Sequence, residues 1–348
     1  MPITLANPWR GRGLDIDAPL PASDATGVAR LLSMCPAHVP TPLLDLPALA
    51  ARVGVAQLLV KDERARMGLG SFKALGAAHA IAQEAAAGVQ GDNWARALTG
   101  QTYITASAGN HGLSVAAGAR LFGARAVIVL SEAVPDSFAA RLHAMGAQVM
   151  RIGATYEASM EAAERTARDH GWTLLSDSSW PGYTQLPLRV MEGYLQLAAE
   201  VAAQVQVAPT HVLLQAGVGG LAAAVAAHTR RVWGDAPQVI VVEPEAAPAL
   251  TESIRAGQLV RTDGPLSAMG RLDCKTPSMI ALNGLARDAD LFVTITENEA
   301  AIGATILAEH GLRTTPSGGA ALAVLLAGLG PGPEARVLAI LSEGPEDG

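Results

Sequence analysis

Residues 211–245 read HVLLQAGVGGLAAAVAAHTRRVWGDAPQVIVVEPE. A short apolar run, His211–Gln215, ends in the turn Ala216-Gly217-Val218-Gly219-Gly220. An alanine-rich stretch, Leu221–Trp233, follows and stops at Gly234, and a second apolar run covers Gln238–Val242. Strand, glycine turn, helix and strand make a βαβ unit, whose strands lie parallel and whose crossover is right-handed. Glycines in the turn allow close backbone approach, and the helix start offers free N–H groups to an anion. The loop reads in three ways. It suits a phosphate. Gly217, Gly219 and Ala222 also fit the G-x-G-x-x-G/A dinucleotide pattern, with Glu243 where a ribose-binding acid would stand. A tight structural turn is the third.

The same rhythm extends to both sides. Further strands are expected at Leu58–Val60, Tyr103–Thr105, Ala126–Leu130, Gln148–Ile152, Thr173–Leu175, Leu291–Ile295 and Arg336–Leu341. Helices are expected at Ala74–Ala87, Gly112–Phe122, Pro135–Met145, Tyr156–His170, Glu297–Glu309 and Gly319–Leu329. The alternation predicts an α/β protein of two lobes, each a mostly parallel twisted sheet flanked by helices. Residues 1 to about 40, rich in Pro and Gly, read as irregular surface chain, and 88–100 and 178–186 as connections.

With 348 residues, half of them hydrophobic and 16% charged, the chain has ample core material for two domains. The net charge of −7 comes with scattered basic residues, so no footprint for nucleic acid or an anionic membrane is expected. Two cysteines, Cys35 and Cys274, make no disulfide framework, and no metal-ligand spacing occurs, so no metal is expected. The start of the chain lacks the apolar core of a signal peptide, and no run is long enough to span a bilayer. A cytoplasmic protein is expected.

Three more segments carry chemistry. Lys73 ends Ser71-Phe72-Lys73, just before an apolar helix and among few charges. Desolvation there disfavours the ammonium and frees the amine as a nucleophile; an exposed helix-start lysine would look the same. Thr105-Ala106-Ser107-Ala108-Gly109-Asn110-His111-Gly112 runs from a strand into a helix, a turn suited to a carboxylate or phosphate or to no ligand at all. Ser342 follows the last strand, where a hydroxyl suits a heterocycle nitrogen or is simply a polar tail. No G-x-S-x-G elbow is present.

Taken in order, these segments resemble the fold-type II, tryptophan synthase β-like family of pyridoxal-phosphate (PLP) enzymes. Residues 124–153 look like the strand–helix–strand passage of its dehydratases. Residues 61–76 (KDERARMGLGSFKALG), 177–194 (DSSWPGYTQLPLRVMEGY), 211–221, 241–245 and the final LSEGPED resemble the diaminopropionate ammonia-lyases, and MGRLDCKTP (269–277) more loosely. The likeness covers about residues 40–348.

The resemblance implies roles for individual residues. Lys73 would hold PLP as a Schiff base and act as the base on Cα, and Phe72 would flank the ring. Asn110 would contact the cofactor's 3-oxygen. Gly217, Val218, Gly219, Gly220 and Leu221 would bind its phosphate, and Ser342 would face its ring nitrogen. Ser107, Gly109, Asn110 and His111 would grip the substrate carboxylate. Asp177 would stand near the substrate as a second catalytic residue, although a strand-end cap reads the same. Where the ammonia-lyases carry an aspartate acting on the D-isomer, this chain has Ala108. Residues 1–74 and 187–348 would form the larger, PLP-binding domain, and 75–186 the smaller.

The expected activity is α,β-elimination of a 2,3-diaminopropionate-like amino acid to a 2-keto acid and ammonia, by a homodimer. The alternatives are a serine, threonine or hydroxyaspartate dehydratase of the same fold, an NAD-dependent oxidoreductase built on residues 217–243, and a non-catalytic PLP-binding protein.

Overall fold

The computed structural model describes residues 2–35, 37–89, 91–107, 109–132, 134, 136–154 and 156–345. In chain order the strands are β1 (Ile3–Ala6), β2 (Leu43–Asp45), β3 (Gln57–Asp62), β4 (Thr102–Ala106), β5 (Arg125–Leu130), β6 (Gln148–Arg151), β7 (Thr173–Leu174), β8 (His211–Gln215), β9 (Gln238–Pro244), β10 (Leu291–Ile295) and β11 (Arg336–Leu341). The α-helices are α1 (Thr26–Leu32), α2 (Pro47–Val53), α3 (Gly76–Gly88), α4 (Asn110–Leu121), α5 (Asp136–Ala144), α6 (Tyr156–His170), α7 (Gln185–Gln204), α8 (Gly220–Trp233), α9 (Ala249–Ala256), α10 (Met279–Asp288), α11 (Glu297–Glu309) and α12 (Ala320–Leu326).

The strands form two sheets. One has seven strands in the order β1-β10-β9-β8-β11-β3-β2, and the other four in the order β6-β5-β4-β7. All pairings are parallel except those of the edge strands β1 and β2. This is the expected two-lobed α/β architecture. The strands read as apolar runs because helices cover both faces of parallel sheets. Every residue of β4 is buried, and in β8 all but His211 are.

Several elements differ from the sequence reading. Residues 1–40 hold β1 and α1, so they are not wholly irregular. The expected helix at 74 starts as a 3₁₀ turn, Phe72–Leu75, with α3 behind it. Pro135, the expected helix start, lies outside the described residues. The long helix α7, and also α9 and α10, were not foreseen.

Helix α7 packs against α3, α8 and the Phe72–Leu75 turn. Two glycines permit this approach. A Cβ on Gly193 would lie 2.2 Å from the Leu75 carbonyl oxygen, and one on Gly76 would lie 2.5 Å from Tyr194 Cε1.

Helix α7 also closes a buried charge cluster behind that turn. The Arg66 guanidinium donates to both oxygens of Glu63 and both of Glu200, at 2.7–2.8 Å. Lys61 Nζ reaches Glu200 at 2.7 Å and donates to the Thr41 carbonyl. Lys61, Glu63 and Arg66 are completely buried, so the four charges must balance locally. Replacing Arg66 by methionine strands two carboxylates against one lysine and should cost roughly 3–5 kcal/mol in urea unfolding. Burial alone would push the Glu200 carboxyl up, but the hydrogen bonds and charges of Arg66 and Lys61 outweigh it and hold it at about 2. Its contribution to stability should therefore be complete above about pH 4.5 and disappear as the pH falls toward 2, a loss measurable by urea midpoints across that range.

Candidate active site

In parallel α/β sheets the loops beyond the carboxyl ends of the strands line the ligand crevice. Here β4 leads to Ser107–Asn110, β7 to Asp177, β8 to the glycine turn and β11 to Ser342. The loop after β3 leads to the 3₁₀ turn that carries Lys73.

Lys73 Nζ donates to Asp177 Oδ2 across the cleft between the lobes. Their side chains are 23% and 15% exposed, so solvent and small ligands reach the pair. Burial disfavours the Lys73 ammonium, but the Asp177 charge outweighs it and holds the lysine above its usual range. Burial likewise opposes the Asp177 carboxylate, and the charges of Lys73 and His111 hold it well below the usual carboxylate range. Lys73 Nζ lies 5.4 Å from the centre of the Phe72 ring, an apolar wall beside the amine.

Ser107 closes its own turn. Its hydroxyl oxygen accepts the N–H of Gly109 at 3.2 Å and of Gly112 at 3.0 Å. The N–H groups of Asn110 and His111, in the first turn of α4, find no backbone acceptor among the described residues. The Asn110 side chain donates to Glu343 Oε2. The His111 ring is buried. Its Nε2–H donates to the Leu175 carbonyl at 2.8 Å, which ties α4 to the segment bearing Asp177. Burial pushes His111 below its usual value. Ala108 lies outside the described residues.

The glycine loop is packed from outside. A Cβ on Gly217 would lie 3.0 Å from both the Arg271 carbonyl oxygen and Cys274 Sγ, and one on Gly219 would lie 2.9 Å from Ala281 Cβ. Gly219 has φ +96°, in the left-handed region. The Val218 N–H points at the Cys274 thiol, which burial pushes up to about 12. The N–H groups of Gly220, Leu221 and Ala222, at the start of α8, have no backbone acceptor among the described residues, and no side chain caps the helix. The result is an anion site with donors to spare.

Glu243 does not face this loop. It is buried and accepts Leu250 N–H at 2.8 Å, Thr251 N–H at 2.7 Å and the Thr251 hydroxyl at 2.6 Å. Its carboxyl is pushed up to about 7 by burial. An acid committed to α9 cannot take a ribose, so the dinucleotide reading fails.

Ser342 closes the site from β11. It is 5% exposed, and its backbone is anchored by N–H to the Gly318 carbonyl and C=O to the Phe72 N–H. Next to it, Glu343 accepts from Thr315 and Asn110 and lies 3.9 Å from Arg271 Nε. Arg271 rests on Gly109, whose Cβ would be 3.1 Å from its Nε. Glu343, Arg271, Cys274 and Tyr194 lie in stretches whose pattern was recognised, but their roles depend on contacts no local pattern carries.

An amine beside an apolar wall, facing an uncapped glycine loop and a strand-end hydroxyl, suits a phosphate-bearing aromatic aldehyde. These residues would suit PLP, with Lys73 for the aldehyde, the Gly219–Leu221 loop for the phosphate, and Phe72 and Ser342 beside the ring. Residues 34–343 match the family described as "Pyridoxal-phosphate dependent enzyme". The chain is 35% identical to the diaminopropionate ammonia-lyase of Escherichia coli K12, over 77% of this chain and 71% of that protein. It is 30% identical to human serine dehydratase-like protein, over 84% of each. The solved E. coli diaminopropionate ammonia-lyase in complex with D-serine superposes with a TM-score of 0.88 at 30% identity, covering 99% of this chain and 94% of that one. The chain belongs to the pyridoxal-phosphate dependent enzymes of fold type II, and PLP is its cofactor.

Gly219→Ala should weaken PLP binding at least about tenfold, because φ +96° disfavours a side chain and the added Cβ meets Ala281. Absorbance titration of the apoprotein measures it, and parental affinity would remove this loop from the site.

Proposed function

We propose that the protein is a PLP-dependent carbon–nitrogen lyase that eliminates the β-amino group of L-2,3-diaminopropionate, giving pyruvate and two molecules of ammonia. The observation that carries this reading is Asp177, a partly buried carboxylate held in an ion pair by Lys73. Once Lys73 is engaged by the cofactor, that carboxylate needs another cation. A β-ammonium supplies it, whereas the hydroxyl of serine, threonine or hydroxyaspartate does not.

When bound, PLP supplies an electron-withdrawing ring that makes the substrate's Cα proton acidic. Lys73 takes that proton, and Phe72 keeps its amine in apolar surroundings. The N–H groups of Asn110 and His111 hold the substrate carboxylate at the start of α4. Asp177 holds the β-ammonium in place as its bond to Cβ breaks. Ammonia departs, and water hydrolyses the remaining unsaturated amino acid to pyruvate and a second ammonia. Ser342 would offer the ring nitrogen a neutral hydroxyl, which would leave that nitrogen unprotonated and suit elimination over long-lived carbanion chemistry.

The resemblance puts Ala108 where an acid acting on the D-isomer would be expected, so the L-isomer is the substrate in this reading. The enzyme works as a homodimer, the commonest soluble assembly, in the cytoplasm, in keeping with two free cysteines. Among the described residues no helix is long and apolar enough to cross a membrane. The seven-stranded sheet takes its strands from residues 3–62 and 211–341 and the four-stranded sheet from 102–174. This supports a larger lobe of 1–74 and 187–348 and a smaller one of 75–186.

The test is 2-keto acid release by the PLP-loaded protein. Pyruvate is expected from L-2,3-diaminopropionate and not from the D-isomer. Asp177→Asn should lower kcat/KM on the L-isomer by about 100-fold, with a much smaller loss on L-serine. Faster turnover of serine, threonine or hydroxyaspartate would make the protein a dehydratase. PLP absorbance without keto acid from any substrate would make it a non-catalytic binder.

A further inference from the structure

Tyr194 lies behind Lys73 and has no part in the chemistry described so far. Its side chain is 1% exposed. Its hydroxyl is buried and makes no hydrogen bond of proper geometry to any described residue. A phenol normally finds a partner when buried, and leaving it without one is costly. The ring stands edge-on to Phe72, centroids 4.9 Å apart, and its centroid is 6.0 Å from Lys73 Nζ. On its far side Cε2 comes within 3.6 Å of a Cβ position on Gly220, at the start of the glycine-loop helix. Tyr194 therefore touches the lysine turn and the phosphate-binding helix together.

The backbone makes room for it at two places. Gly193 lets α7 come down on the Leu75 carbonyl, and Gly76 leaves the space that Tyr194 fills, since a Cβ there would lie 2.8 Å from its hydroxyl oxygen. A leucine would fill an apolar gap beside Phe72 without an unpaired hydroxyl. The charges around the phenol are those of the reaction: Lys73 and Asp177 both act on it.

We infer that Tyr194 is the positioning residue for the Lys73 base, its hydroxyl oxygen accepting a hydrogen bond from Nζ while Asp177 is occupied by the substrate. A neutral lysine amine has two N–H groups and one lone pair. Anchoring the N–H groups aims the lone pair, and Asp177 cannot serve both the amine and a β-ammonium. When Nζ takes the Cα proton it becomes an ammonium, and an oxygen already facing it holds that charge more strongly than the neutral amine. The proton stays on Nζ, and Tyr194 keeps its own because burial holds the phenol far above its usual range. Removing this acceptor lowers the basicity of Lys73.

The inference rests on Lys73 being the base, and the test separates the two. Tyr194→Phe keeps the ring packing and deletes only the hydroxyl. In the loaded enzyme kcat should fall about tenfold, the size of one charge-assisted hydrogen bond, with KM for L-2,3-diaminopropionate nearly unchanged. The second readout needs no turnover. PLP uptake by the apoprotein, followed by absorbance, requires an unprotonated Lys73, so in an Asp177→Asn background, where the carboxylate no longer holds Nζ, its rate-against-pH profile should move to lower pH when Y194F is added. The apoprotein should melt no lower than the parent, because the deleted hydroxyl had no partner. Parental kcat and an unmoved uptake profile would overturn the inference, as would weaker PLP affinity with parental kcat at saturation, or a Tm several degrees lower. Lys73→Ala is the control. Turnover surviving in it would overturn the reading of Lys73 itself, whereas a silent Y194F leaves that reading intact.

Discussion

The ion pair between Lys73 and Asp177 joins the two sheets at the point where both open toward solvent. Lys73 stands on the 3₁₀ turn that follows β3 in the seven-stranded sheet, and Asp177 follows β7 at the edge of the four-stranded one. Each charge by itself would be costly in a half-buried cleft. Together they hold each other ionised, so the cleft carries an ammonium and a carboxylate that is left without its cation once a ligand engages the lysine. The packing of α7, the tie from His111 to the Leu175 carbonyl and the anchoring of Ser342 all fix one partner of this pair or the wall around it.

The protein separates charges that work from charges that only hold. Arg66, Glu63, Glu200 and Lys61 form a closed, buried and balanced set behind the lysine turn. None of the four is free to meet a ligand. Glu243 is similarly committed to α9. The first-turn N–H groups of α4 and α8, in contrast, meet no backbone acceptor among the described residues. Unmet donors at the helix starts and fully met groups elsewhere are what a site for a doubly anionic cofactor and an amino acid requires.

The strands beside the site were legible because strands covered on both faces are apolar, β-branched and end at glycine or polar residues. Helix α7 was not, because it is buried on several sides and carries Gln196 and Glu200 inward, which breaks the amphipathic stripe that periodicity detects. Helix α10 was hidden for a related reason. Asn283 and Gly284 sit mid-helix, and a Cβ on Gly284 would collide with Pro21 at 2.4 Å, a contact between residues far apart in the chain. Glu243 misled because its distance from the glycine loop matches a ribose acid, while its carboxylate turns toward α9.

Local sequence determined which segments carry chemistry: the lysine before its helix, the small-residue turn at 105–112, the glycine loop and the strand-end serine. Those patterns depend on backbone conformation and hydrogen bonding within a few residues, which neighbouring side chains dictate. Only the tertiary structure decided where each side chain points. Asn110 turns to Glu343, His111 to Leu175, Arg271 onto Gly109 and Tyr194 into the space left by Gly76. Each of these directions is set by a partner more than 60 residues away, brought near by the meeting of strand ends from two sheets.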